Sequence, residues 1–425
     1  MKPLLPTLIL GALLALCPSI ALAADPPGSF ILDPAIDAAV AARTGPPIWL
    51  SASANPSAIA KLTTILRRAP LDGFPAGPDL AARIDVLAAT ASASTDQQAI
   101  AAADRFMSSA WIAYVAALSV TSSELEFAEP WLRPVTPNAR TTLQKLAAAP
   151  SLTDHLDAVS AVNPVYAELR DAAWAAMQRS GATSPDPRLL KNLARARAFP
   201  RSGRFIVVNA ATQRLTMVED GRIVDSMKII VGTKATPTPM LASMIWYVTV
   251  NPYWYVPLNL TKDIVAGRML ANPGYLKFKQ YEVISDFGPT PTLLSPDGID
   301  WKAVKSGEKI VYLRQLPGPH NSMGKMKFSF PSDTGVYLHD TDLHGLFARD
   351  PRTLSNGCVR LEDALRLGRW MMGHEVVGAT GAPEEHQKLA SGVPVFLTYI
   401  TAKVDDGSIV FTPDPYDRDD LRQGG

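Results

Sequence analysis

Apolar residues recur at helical spacing through the first half of the chain and at strand-like spacing through the second. Between about Pro46 and Pro187, Ala and Leu dominate. Pro56–Arg68, Pro78–Thr90, Asp96–Leu118 and Leu152–Gly181 carry apolar side chains three and four positions apart. This predicts an all-helical domain over 46–200, with Trp49, Trp111, Trp131 and Trp174 as core aromatics and a connecting helix Pro187–Ala198 that stops at Phe199-Pro200. After Arg201 the text turns to Val, Ile, Phe, Tyr and Thr, which predicts strands at Phe205–Asn209, Arg214–Glu219, Ile223–Val231 and Met244–Val250. Asp220-Gly221 stands between two of them as a hairpin signal. Further strands are predicted at Lys309–Arg314, Lys325–Phe330, Gly335–Leu338, Pro394–Val404 and Ser408–Thr412, the last two flanking Asp406-Gly407. Residues 252–307 interrupt the strands with Pro, Gly, Asp and aromatics, so an inserted capping lobe is expected at about 255–307. The expected class is α+β multidomain: a helical domain, then a mainly-β domain over 201–416. Residues 25–45 read as a poorly ordered lead-in and 417–425 as a frayed tail.

Composition narrows the function. The 425 residues carry a formal net charge of +1, which excludes the basic face that phosphate neutralisation requires, so no nucleic-acid partner is expected. Residues 1–24 place Lys2 before an apolar run from about Leu4 to Leu16 and a small-x-small pattern at Ala21 and Ala23. That is the grammar of a cleaved signal peptide, and it predicts export to the periplasm with no membrane span after cleavage. An uncleaved anchor and a lipoprotein through Cys17 fit less well, because Leu16 precedes that cysteine where a small residue is required. Cleavage leaves Cys358 as the lone thiol in an oxidising compartment, either inert in a core or put to work.

Chemistry concentrates in Tyr337–Leu361, YLHDTDLHGLFARDPRTLSNGCVRL. A predicted strand ends at His339. After a loop, Ser355-Asn356-Gly357-Cys358-Val359-Arg360 leads into an amphipathic run, Glu362–Met372. This places Cys358 just ahead of a predicted helix, where free N–H groups and the dipole would lower a thiol pKa from about 8.5. Gly357 would leave amides free for an oxyanion, and His339 could act as base toward the thiol.

These residues resemble the L,D-transpeptidases with the YkuD-type catalytic fold, whose mark is a histidine upstream of a Ser/Thr–x–Gly–Cys–x–Arg/Asn box. Here His339 stands nineteen residues before Cys358, inside the Ser355–Arg360 match. The likeness runs over roughly 204–416, including Ile229-Ile230-Val231-Gly232, Thr238-Pro239, Asn251-Pro252-Tyr253-Trp254 and Leu313-Arg314-Gln315. It is greatest to large Gram-negative members with a helical scaffold domain and an inserted lobe. Some relatives add a peptidoglycan-binding module, for which 181–200 leaves no room. The resemblance implies Cys358 as nucleophile, His339 as general base and then acid, the amides of Gly357 and Cys358 as oxyanion donors, and Asp340, through its carbonyl rather than its carboxylate, as the orienting partner of the histidine. Arg360 would bind a substrate carboxylate or brace the loop. Tyr337, Trp254, Ser355 and Asn356 would line the substrate cleft. The implied reaction joins peptidoglycan tetrapeptide stems, donor and acceptor, by 3→3 cross-links through a cysteine thioester, with no metal or other cofactor. Carboxypeptidase action and attachment of a lipoprotein to peptidoglycan use the same nucleophile, and carbapenems would acylate it.

Competing readings are weaker. His344, fourteen residues before Cys358, is the rival base; His155, His320, His374 and His386 stand in unremarkable text. His339, Asp340, Asp342 and His344 form a density of metal-type ligands without HExxH. Ser306–Lys309 and Ser322–Lys325 match SxxK but lack its ordered partners. Sortases keep His and Cys farther apart, papain-like enzymes put Cys first, and a non-catalytic wall-binding protein would not need the pair.

Overall fold

In the computed structural model, which describes residues 33–50, 56–378 and 380–419, helix-forming text becomes helix close to where its periodicity places it. The helices of the first half are α1 (Pro34–Ala41), α2 (Pro56–Arg68), α3 (Gly77–Ser92), α4 (Gln97–Leu118), α5 (Ala139–Ala147), α6 (Leu152–Ser160), α7 (Pro164–Ser180) and α8 (Pro187–Ala196). They close around Trp49, Trp111 and Tyr114, each at most 1% exposed. The buried Asp104 carboxylate accepts the Trp49 and Leu50 N–H groups at 2.6 and 3.2 Å, tying the chain entry to α4.

Four expectations need correction here. Part of the presumed lead-in is α1: Asp33 caps it through the Ala35 N–H at 2.8 Å, and Ile36 and Val40 enter the helical core. The single helix expected over 152–181 is two. Pro164 has no N–H to continue a helix, so α7 restarts there, with the Asn163 side chain accepting from the Tyr166 N–H at 2.9 Å. Trp131 is 66% exposed rather than a core aromatic. Finally, the tail does not fray at 417: Asp419 is buried against α8. Segment 1–24 lies outside the described residues. Among the described residues no helix is long and apolar enough to cross a membrane.

The second half is a closed sheet. Strands β2 (Arg204–Asn209), β3 (Arg214–Glu219), β4 (Arg222–Gly232) and β5 (Leu241–Val250) follow the predicted alternation, and β1 (Glu126–Phe127) joins β5 from the helical half. Asp220 and Gly221 have φ of 46° and 77°, the primed turn that the Asp-Gly pair signals. An inserted lobe follows with its own sheet of β6 (Trp254-Tyr255), β7 (Tyr281–Ile284), β8 (Leu293-Leu294) and β9 (Tyr312–Gln315), in the order β6-β9-β7-β8. Its core is Val256, Val265, Val283, Val304 and Leu313. The strand expected at 309–314 therefore belongs to the lobe, because β9 pairs back onto the entry strand, Trp254 facing Gln315.

The main sheet resumes with β10 (Met326–Phe328), β11 (Leu338-His339), β12 (Thr353–Ser355), β13 (Val359–Leu361) and β14 (Glu385–Thr398); β15 (Ala402–Asp405) and β16 (Ser408–Phe411) form the last hairpin. The order β5-β10-β11-β13-β4-β3-β2-β14 closes where β14 pairs with β5. β14 starts nine residues before the strand predicted at Pro394, so His386 lies on it, with Thr249 Oγ1 at 3.0 Å. The interior holds Ile206, Ile229, Val248, Phe328, Leu338 and Val395, all fully buried, and the helix Ala364–Met372 packs beside it. This closure leaves β11 and β13 as adjacent parallel strands.

Candidate active site

Register brings the chemistry together. Leu338 pairs with Val359 and His339 with Arg360, and the Val359 N–H donates to the Tyr337 carbonyl at 3.1 Å. Side chains alternate along extended chain, so Tyr337 just ahead of β11 and His339 on it share a face with Cys358 just ahead of β13 and Arg360 on it. That register sets Cys358 opposite Tyr337, which favours the ionised sulfur. On the neighbouring strand Lys327, in register with His339, sets its ammonium 4.9 Å from the centre of the Tyr337 ring. The Tyr337 and His339 rings lie 5.6 Å apart.

Each group is held in place. The His339 ring is 3% exposed and its Nδ1 meets the Asp340 carbonyl at 2.5 Å; the Ser322 carbonyl also faces the ring. The Asp340 carboxylate points away, accepting the Lys325 N–H at 2.8 Å, with His344 Nε2 at 3.5 Å. Ser355 Oγ accepts the Gly357 N–H at 3.2 Å and donates to the Cys358 carbonyl at 2.5 Å, which pins both sides of the box. Gly357 has φ 115°, a conformation that disfavours any side chain, and Thr238 Oγ1 donates to its carbonyl at 2.8 Å. Trp254, on β6 of the lobe, pulls the Tyr337 pKa down against the burial that raises it.

Burial keeps His339 and Cys358 uncharged at neutral pH. It lowers the His339 pKa to about 3, helped by the Arg360 and Lys327 cations and opposed by the two carbonyls. Burial also raises the Cys358 pKa, against the pull of Tyr337, Arg360 and Lys327. At neutral pH the site thus holds a thiol and a neutral imidazole. Arg360 has its own pKa lowered by burial, with Asp342 and Cys358 opposing, and its Nε is buried without a hydrogen-bond partner.

The YkuD model, described as the L,D-transpeptidase catalytic domain, matches residues 203–408, and a scaffold-domain model matches 35–172. The chain carries an L,D-transpeptidase catalytic domain behind a scaffold domain. A Haemophilus influenzae protein named "Putative L,D-transpeptidase" is 29% identical over 323 residues; the match covers 74% of this chain and 62% of that protein's length. Among solved structures, an L,D-transpeptidase from Mycobacterium smegmatis aligns at 13% identity, covering 47% of this chain and 59% of that one, with a TM-score of 0.23. A mutant L,D-transpeptidase of Enterococcus faecium aligns at 14% identity, covering 49% and 62%, with a TM-score of 0.24.

In this L,D-transpeptidase domain the expected residues gather around one sulfur, with three differences. Cys358 does not precede a helix. The short strand β13 follows it and the helix begins only at Ala364, so no helix dipole acts on the thiol, whose pKa is raised rather than lowered. A three-residue strand is too short to show its period in sequence. The Gly357 amide, expected to face an oxyanion, is engaged by Ser355, while the Cys358 N–H meets no protein acceptor among the described residues. Asn356 is exposed at the rim. His344 sits on the Asp340 carboxylate, away from the sulfur's strand. No group of three or more metal-type ligands occurs among the described residues. Lys327 was missed, since only strand pairing reveals that it faces the site.

Two outcomes follow from this packing. The His339 pKa is depressed, so between its folded value near 3 and the unfolded value of about 6.5 the unfolded chain binds the extra proton. The stability this contributes is complete above about pH 6.5 and is lost as pH falls. His339→Gln should flatten the fall in melting temperature between pH 7 and 5, measured by thermal unfolding. At Gly324, φ is 60° and an added Cβ would stand 2.3 Å from the Asp340 carboxylate. Gly324→Ala should cost about 1–3 kcal/mol and lower turnover, because the turn it strains lies against the residue whose carbonyl orients His339. Unchanged denaturation and kcat would count against that coupling.

Proposed function

We propose that the protein is a peptidoglycan L,D-transpeptidase that forms 3→3 cross-links between stem peptides through a thioester on Cys358. The observation that carries this reading is the placement of Cys358 and His339 as diagonal neighbours on one face of adjacent parallel strands, both neutral. Cys358 Sγ attacks the carbonyl between the L-centre of the third stem residue and D-Ala as His339 takes the thiol proton. The tetrahedral oxygen is held by the free Cys358 N–H. His339 returns the proton to the departing D-Ala nitrogen, leaving the thioester. The side-chain amine of a second stem then attacks, loses its proton to His339, and expels the sulfur, which takes that proton back.

Arg360 is the receiver for a stem carboxylate, since its buried Nε has no partner to brace. A cavity of about 810 Å³ opens beside the site, lined in part by Asp340, Thr341, Asp342 and His344, and its size suits a peptide-bearing acceptor. Lys279 of the lobe, 3.3 Å from Asp342, ties the lobe to this wall. Water as acceptor would give carboxypeptidase action, and a lipoprotein amine would give attachment to the wall; a lobe that closed over the thioester would favour cross-linking over hydrolysis. Export through segment 1–24 would place the reaction in the periplasm, where its substrate lies. The test is incubation of the purified protein with disaccharide tetrapeptides and mass analysis of products. Dimers with released D-Ala support the proposal; tripeptides without dimers favour carboxypeptidase action; no D-Ala release overturns both.

A further inference from the structure

We infer that Thr238 is a positioning residue for the oxyanion donor: its hydroxyl holds the Gly357 carbonyl and so aims the Cys358 N–H, which belongs to the same peptide unit. In a planar trans peptide the C=O and N–H point in opposite directions, so fixing one fixes the other. Thr238 is 2% exposed, in the turn that joins β4 to β5. Its Oγ1 accepts the Gly232 N–H at 2.9 Å. An N–H can only donate, so the one hydroxyl hydrogen goes to the Gly357 oxygen at 2.8 Å. The flanking peptide units have other anchors. Ser355 Oγ accepts the Gly357 N–H and donates to the Cys358 carbonyl, and the Val359 N–H donates to the Tyr337 carbonyl. Among the described residues, only the Thr238 hydroxyl holds the unit between them. That unit starts at a glycine with φ 115°, whose backbone is free to turn. Without the hydroxyl the Cys358 N–H loses its fixed direction, and a donor stabilises an oxyanion only when it is already aimed at it.

Thr238 is itself held from the far end of the chain. The buried Tyr416 hydroxyl accepts the Thr238 N–H at 3.4 Å and donates to the Gly232 carbonyl at 2.7 Å. The Tyr416 N–H donates to the Tyr399 hydroxyl at 2.9 Å, and the two rings stack with centres 5.3 Å apart. The Tyr399 hydroxyl donates in turn to Asp414. Every hydroxyl in this series spends its single hydrogen on one acceptor, so the directions are consistent along its length. The C-terminal segment that Asp419 ties to α8 therefore reaches the nucleophile box through Tyr416 and Thr238.

The test compares two reactions of Cys358 in the full chain. Acetylation by p-nitrophenyl acetate joins the sulfur to the acetyl carbon, passes the thiol proton to His339 and expels p-nitrophenolate with its bonding pair, by way of an oxyanion. Alkylation by iodoacetamide displaces iodide from a saturated carbon and forms no oxyanion. Thr238→Val should slow acetylation about 10- to 100-fold and leave alkylation within about twofold. Thr238→Ser keeps the hydroxyl and should acetylate at the unaltered rate. A loss of packing alone would slow both reactions together. Unchanged acetylation in Thr238→Val, a matching fall in its alkylation, or a Thr238→Ser protein as slow as Thr238→Val overturns the inference. So does acetylation of the unaltered chain no faster than that of Cys358→Ala. If Thr238→Val does not fold, Tyr416→Phe decides: slower acetylation with unchanged alkylation supports the inference, and any other result overturns it. The inference rests on the oxyanion step proposed above, but neither probe needs a cell-wall substrate. Unsplit rates with cross-linking intact remove only the role of Thr238; split rates in a protein that releases no D-Ala remove only the function.

Discussion

Cys358→Ala is expected to reduce D-Ala release and dimer formation from tetrapeptide stems by at least about four orders of magnitude. Covalent transfer needs an atom that can hold the acyl group between donor and acceptor, and no other nucleophilic side chain shares the face of β11 and β13 with His339 except the Tyr337 phenol, which burial keeps protonated. Residue 358 as a whole is half-buried and the swap removes one atom, so the melting temperature should move little. The same variant should lose the mass increment that a carbapenem leaves on the unaltered protein, because a strained β-lactam would be opened by the same thiol. Retention of dimers would show that another group carries the acyl chain. Retention of the adduct would place the drug elsewhere.

Arg195→Met is expected to cost about 3–5 kcal/mol of stability, the largest effect of any single change outside the site. The Arg195 side chain is wholly buried on α8 and spends all five of its N–H donors. Nε and Nη2 donate to Glu124 Oε2 at 3.0 and 2.9 Å. Nη1 donates to the Tyr399 carbonyl at 2.9 Å and to Asp419 at 2.6 Å, and Nη2 also reaches the Arg418 carbonyl at 3.0 Å. Methionine fills the volume but leaves the Asp419 carboxylate, 3% exposed, with Arg188 at 2.9 Å as its remaining cation. The midpoint of denaturant unfolding should fall, and proteolysis should begin at the released C-terminal segment. Adding Asp419→Asn should restore part of the loss, since the stranded charge is most of the cost. A loss below about 1 kcal/mol would mean that this network does not clamp α8 to the barrel.

Much of this organisation is written locally. Helical periodicity placed α2 and α4 to within a residue, and the Asp220-Gly221 and Asp406-Gly407 pairs placed two hairpins, because the forces involved act over a few residues. The resemblance carried by His339 and the Ser355–Arg360 box likewise singled out the candidate pair, Cys358 and His339, without coordinates. Local signals failed where distant segments decide the outcome. α1 is a helix because Ile36 and Val40 find the core built by α4, and β9 joins the lobe because Trp254-Tyr255 offers it an edge.

The thiol shows the same division. Residue types along the chain determined that this protein has a helical half, a sheet half with an insertion, and a candidate site that includes Cys358 and His339. Tertiary structure alone decided the setting of that site: that a strand rather than a helix follows the sulfur, that Lys327 and Tyr337 share its face, and that burial keeps Cys358 and His339 uncharged at neutral pH. Pairing register and burial set those properties. Both depend on which segments pack together across the whole domain, and neither is encoded in a short stretch of sequence.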